Sequence, residues 1–124
     1  MTTYLVQYPS NPKVDLSLAD RYGEILPVNH TSLNVSSTPG QALQNLRTAL
    51  RNFNPEDDYL LWAGGDPMAI FLAGIAIGEL GIEEFQVLVY NRIRDEDRNI
   101  IGGKYVPTRI RTKQRVFEGT DRTH

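Results

Sequence analysis

Apolar positions fall in two rhythms along this chain. Between Thr38 and Phe53 they recur at three and four: Ala42, Leu43, Leu46, Ala49, Leu50 and Phe53 form one stripe. Gln44, Asn45, Thr48, Arg51 and Asn52 are left to face water. That is the pattern of a helix with one buried face. Thr38 suits its N-cap, Pro39 its first position, and Gln41 completes the spacing of a capping box. Asn54-Pro55 stops it.

Residues 59–63 then run Tyr-Leu-Leu-Trp-Ala without alternation, as a strand covered on both faces does, and this places Trp62 in the core. Gly64-Gly65-Asp66-Pro67 spells a tight turn and a helix start. From Met68 to Leu80 only Gly74, Gly78 and Glu79 interrupt apolar residues. A helix with no polar face is buried all round. One side should lie on a sheet, and the other needs cover from the N-terminal segment, the Thr38 helix or a second copy of the chain. Gly74 and Gly78, one turn apart, predict the close approach of a strand or another helix. Gly81 ends the helix and Phe85 to Tyr90 reads as the next strand. Strand, helix and strand with short turns make a βαβ crossover unit, expected to be right-handed with parallel pairing.

The flanks read more weakly. Thr3 to Tyr8 is a short strand closed by Pro9-Ser10-Asn11-Pro12, and Leu18, Ala19 and Tyr22 suggest one loose helical turn. Glu24 to His30 is a second strand that Pro27 assigns to an edge, and Thr31 to Ser37 is loop. Beyond the charged stretch 91–99, with Asp95-Glu96-Asp97 as its turn, Lys104 to Thr112 alternates. Val106 and Ile110 are expected to face the core, with Tyr105, Arg109 and Arg111 facing out, and Pro107 marks an edge strand antiparallel to Phe85–Tyr90. The expected fold is therefore α/β: a small single domain over residues 1–112, with a central βαβ crossover unit and a mixed sheet with an antiparallel C-terminal edge strand. Residues 113–124 read as a polar C-terminal tail, expected to be mobile, with only Val116-Phe117 to anchor it.

Composition narrows the chemistry. There is no cysteine, which excludes disulfides, thiolate metal sites and a thiol nucleophile. The two histidines, His30 and His124, have no partners at metal-ligand spacing, so no metal and no cofactor is expected. The N-terminus shows neither a basic region nor a long apolar segment, and Pro67 to Leu80 spans 14 residues. A bilayer needs roughly 20. A soluble protein of the cytoplasm, without membrane contact, is expected.

The net charge of −2 conceals a polarity. Residues 1–91 hold 4 basic and 10 acidic side chains, whereas residues 92–115 hold 8 basic and 3 acidic. One basic lobe on an acidic chain is a candidate surface for anions or an acidic partner.

Two places could carry a site. Gly64, Gly65 and Asp66 lead into a helix N-terminus at the carboxyl end of a strand, where an anion or nucleotide can be held, with Asn91 and Arg92 from the next strand beside them. The turn lacks the Gly-Lys-Ser/Thr of a P-loop and the Gly-x-Gly-x-x-Gly of a dinucleotide turn. Asp66 as a cap would itself bring negative charge to that spot, so the plainer reading is a capped turn. Arg92, Arg94, Arg109 and Arg111 form the second candidate, a partner-binding surface on paired outward strands, against the plainer reading of a solvated edge. Nucleic acid is the less favoured partner, because Asp95-Glu96-Asp97 would repel its backbone. Glu56, Asp57, Asp58 and Asp66 flank the crossover strand without a His, Lys or Ser beside them in sequence, so no catalytic residue is assigned.

Asp58-Tyr59-Leu60-Leu61, Gly65-Asp66-Pro67, the apolar helix, Val87-Leu88-Val89-Tyr90 and Tyr105-Val106-Pro107 together resemble a group of small α/β proteins of tailed bacteriophages. The resemblance covers about residues 55 to 110. Such proteins often end the strand after the helix in Trp-Asp-Arg, where this chain has Tyr90-Asn91-Arg92 followed by an added charged hairpin. The resemblance implies an accessory protein acting in the host cytoplasm, and it implies no reaction. The leading expectation is a non-enzymatic phage protein that binds a host macromolecule, such as a host protein, through the basic edge hairpin. The alternative is a binder of a small anionic, nucleotide-like ligand at the Gly-Gly-Asp-Pro turn. A homodimer through the Gly74/Gly78 helix is a further expectation.

Overall fold

In a computed structural model, which describes residues 1–9 and 14–111, five strands form one sheet and three helical segments pack on it. The strands are β1 (Thr2–Leu5), β2 (Glu24–Pro27), β3 (Tyr59–Leu61), β4 (Glu84–Arg94) and β5 (Ile100–Arg111). The helices are α1 (Pro39–Ala49), α2 (Met68–Glu79) and a 3₁₀ segment, Leu16–Tyr22, between β1 and β2. The strand order is β2-β1-β3-β4-β5. Only β4 and β5 are antiparallel, and every other neighbour pair is parallel. The crossover β3–α2–β4 and the antiparallel C-terminal edge are as expected, and β2 with its Pro27 is the opposite edge. The tail from Lys113, the strand end at Thr112 and the Val116-Phe117 anchor lie outside the described residues.

Alternation along each strand sends side chains to two different cores. Val6, Leu60 and Phe85 point to the face carrying α1 and α2, where Leu46, Leu50, Phe53, Leu72 and Ile77 complete the main core. Leu5, Leu61 and Leu88 point the other way, onto Ala19 of the 3₁₀ segment and Tyr105 of β5. Leu60 and Leu61 are both fully buried, as a strand covered on two sides requires.

Several local expectations are corrected. The capping box at α1 does not form: the Thr38 hydroxyl donates to Asn34 O, and Gln41 Nε2 turns to Asn45 Oδ1. Asn45, read as solvent-facing, donates to Asn29 Oδ1, because Asn29 is buried and needs partners for both ends of its amide. On β5 it is Tyr105 that is buried while Ile110 is exposed. The alternation is right, but the 3₁₀ segment covers the Tyr105 side, with Tyr22 Oη donating to Tyr105 O, and on the opposite side of β5 Val106 is half-buried while Ile110 is exposed. The apolar helix α2 is not buried all round either. Ala69, Leu72, Ala73, Ala76 and Ile77 are inside, while Met68, Ile75 and above all Phe71, 63% exposed, form an outer strip. A Cβ built at Gly74 or Gly78 would meet nothing beyond the helix itself within 4 Å among the described residues, so no close approach there explains them.

Candidate functional site

The chain runs outward from β1 to β2, returns to β3, and then builds the other half through β4 and β5. The topological switch therefore lies between β1 and β3, and a ligand crevice is expected outside their carboxyl ends. Here the chain's own loop fills that place. Gln7, following β1, donates from Nε2 to Leu33 O at 2.8 Å and His30 O at 3.2 Å. Asn29 Nδ2 donates to Val6 O at 3.0 Å. A cavity of about 180 Å³ remains, lined by Gln7, Tyr8, Leu33, Asn34, Gly65 and Asp66.

Asp66 closes this loop down. Its Oδ2 accepts from the backbone and hydroxyl of Ser36, and its Oδ1 accepts from Met68 N at 2.9 Å, which caps α2. The Ser36 hydroxyl first, and then the Met68 amide, hold its carboxyl below the ordinary aspartate value. Gly64 and Gly65 supply the left-handed backbone, φ 104° and 89°, that turns the chain from β3 into α2. Asp58, before the crossover strand, also holds backbone: it accepts from Thr2 N and Asn54 N, both at 2.9 Å.

A second and larger crevice opens one strand further along. β3 ends at Leu61, paired with Leu88, but β4 continues to Arg94. Past Leu88 the β3 side of β4 faces no strand, and the notch has a volume of about 810 Å³. Asp15, Trp62, Gly64, Val89, Tyr90, Arg92 and Tyr105 are among its walls. Trp62 thus departs from its expected core position. It is half-buried, because β3 stops one residue before it, and its indole N–H is shielded from solvent with no hydrogen-bond partner among the described residues.

The two halves of the ligand candidate are therefore separated. Gly64 and Arg92 share the larger notch, Gly65 and Asp66 line the smaller cavity, and Asn91 lines neither. The four arginines are likewise divided. Arg109 and Arg111 both pair with Glu84 at the base of the β4–β5 ribbon. That pairing lowers the Glu84 pKa, with the Arg109 hydrogen bond as the main cause. Arg92 and Arg94 lie toward the far end, where Arg94 Nη1 donates to Arg98 O at 3.0 Å and stiffens the turn. Arg92, Arg98 and Lys104 make no ion pair among the described residues. Tyr90, Tyr105 and Ser36 were not singled out from the sequence. Gly103 was the available signal: a glycine inside a strand marks a close approach, and here the Tyr90 ring lies over it.

Residues 1–101, from β1 through the start of β5, match the family described as phage Pam3 gp32-like protein. The chain belongs to that family. As a Pam3 gp32-like protein it is a phage protein, in keeping with the resemblance drawn from its motifs. No curated protein and no solved structure matches the chain. No helix among the described residues is long and apolar enough to cross a membrane.

Proposed function

We propose that this phage protein is a non-enzymatic accessory factor that docks on a host protein through the far end of the β4–β5 ribbon. The observation that carries the reading is the ribbon's overhang. From Val89 to Arg94, β4 has only β5 beside it among the described residues, an arm of about 20 Å at roughly 3.3 Å per residue. A lone two-stranded ribbon is marginal in water, and this one exposes Ile93, Ile100 and Ile101, the last at 64%. Unpaired Arg92, Arg98 and Lys104 surround them, which favours an apolar partner surface with an acidic rim. Arg109 and Arg111 belong to the neutralised base of the arm and play the lesser part.

The test is cross-linking in phage-infected host cells followed by purification of the adduct. Replacing Ile93 and Ile101 together by Asp should remove the adduct while circular dichroism stays unchanged. Arg109→Glu with Arg111→Glu should weaken it less. An adduct undiminished by the Ile93/Ile101 variant would rule the arm out.

A homodimer through α2 is a second reading, favoured by the bare strip of Met68, Phe71 and Ile75 beside Gly74 and Gly78. Two glycines with no other element near them among the described residues leave room for the backbone of a second α2.

A further inference from the structure

We propose that the notch beyond the end of β3 is a binding site for a nucleoside monophosphate, whose base packs on an aromatic wall and whose phosphate pairs with Arg92. The proposal shares Arg92 with the docking arm but concerns a different surface. It rests on the length mismatch between a three-residue strand and its eleven-residue neighbour. That mismatch leaves a notch of about 810 Å³ at the carboxyl end of a parallel pair. Small-molecule sites usually fall in a range of roughly 300–1,000 Å³.

Its walls are chemically divided. Tyr90, Tyr105 and Trp62 supply π faces and Val89 an aliphatic side, which together suit a flat heterocycle. Tyr90 is held in place before any ligand arrives. Its phenol lies where a side chain on Gly103 would stand, the hydroxyl oxygen nearest to the position of an added Cβ. It meets Tyr105 edge-on at 5.3 Å and 64°. Even so, 43% of Tyr90 remains exposed. A ring fixed by its neighbours yet open to solvent loses little freedom when a base stacks on it.

Arg92 lies two residues further along the same face of β4 and has no partner among the described residues. It is a guanidinium available to a phosphate. Asp15, which lines the same notch near Tyr105, limits how much negative charge it tolerates, which favours one phosphate over three.

Trp62 is the only tryptophan of the chain, so its fluorescence reports on this notch alone. The experiment is a fluorescence titration of the full chain with AMP, GMP, CMP and UMP, and in parallel with adenosine, ribose 5-phosphate and a single-stranded tetranucleotide. A saturable change with at least one monophosphate is expected, with adenosine and ribose 5-phosphate each binding about tenfold more weakly. Arg92→Glu should weaken the monophosphate about tenfold or more. Tyr90→Ala should weaken both the monophosphate and adenosine. Arg51→Glu, at an exposed cation in the turn after α1, should change nothing. No saturable signal from any monophosphate at about 1 mM would overturn the proposal. Equal affinity in Arg92→Glu, or tighter binding of the tetranucleotide than of every monophosphate, would also overturn it.

Discussion

Asp58 ties the first strand to the crossover strand, and its removal has a cost that can be worked out. Its two carboxylate oxygens each accept one backbone N–H, from Thr2 at the start of β1 and from Asn54 at the turn before β3. The residue is only 8% exposed, so water replaces it poorly. A hydrogen bond to a charged group contributes about 1.5–3 kcal/mol, and partial access of water to the two freed donors moderates the total, giving about 2–4 kcal/mol for Asp58→Ala. A domain of this size loses about 4 °C of Tm per kcal/mol, so the midpoint should fall by about 8–16 °C. Asp58→Asn keeps one acceptor and should lose about half as much. Asp57→Ala is the control, because Asp57 is exposed and accepts only from the Asn54 side chain, so its effect should stay within about 0.5 kcal/mol. The assay is calorimetry of the three variants beside the parent chain. If Asp58→Ala lost less than about 1 kcal/mol, the claim that this carboxylate joins the two halves of the parallel sheet would fail.

Acid should loosen the loop that covers the β1/β3 switch. The pKa of Asp66 is lowered in the fold, so its contribution is present above the unfolded value of about 3.9 and is lost as pH falls through the lower folded value. Ser36→Ala should raise the Asp66 pKa toward the ordinary value in a carboxyl NMR titration, and an unmoved titration would contradict the assigned cause. Glu79 and Glu84, both lowered by hydrogen bonds from arginine, should lose their pairing in the same direction. Phe71→Asp should abolish self-association through α2, read by sedimentation velocity of the parent and the variant. A parent chain that stays monomeric at high concentration would dismiss that interface.

The parts of the fold that could be read from the sequence are those where one local signal sufficed. The Gly64-Gly65 turn needed positive φ, the stripe from Ala42 to Phe53 needed one buried face, and Pro27 and Pro107 needed strands with a free side. What could not be read depended on lengths and coverage. Nothing in Met68–Leu80 says that Phe71 ends up outside, because an apolar helix carries no mark of which side will be covered. Ile110 and Tyr105 are equally plausible core residues by alternation. The choice between them depended on where the 3₁₀ segment lies, which is a tertiary fact. The capping box at Thr38 failed for a similar reason, since Asn34 offered that hydroxyl a backbone carbonyl first.

The same dependence on length explains why the candidate surfaces gather at one end of the sheet. Had β3 continued alongside β4, its backbone would have filled the notch, Trp62 would have been a core residue, and the ribbon would have been an ordinary edge. Instead Gly64 and Gly65 turn the chain away just after Leu61, while β4 and β5 keep pairing to Arg94 and Ile100. A single early turn therefore creates both the notch and the arm. Lengthening the arm's support would remove both at once, so the two proposals stand on one structural cause but report different chemistry. The notch depends on Arg92 and the aromatic rings, and the arm on Ile93 and Ile101. Ile93→Asp with Ile101→Asp should abolish docking and leave Trp62 fluorescence titrations unchanged. Tyr90→Ala should do the reverse, and a variant pair that failed to separate the two readouts would mean that a single surface, rather than two, is at work.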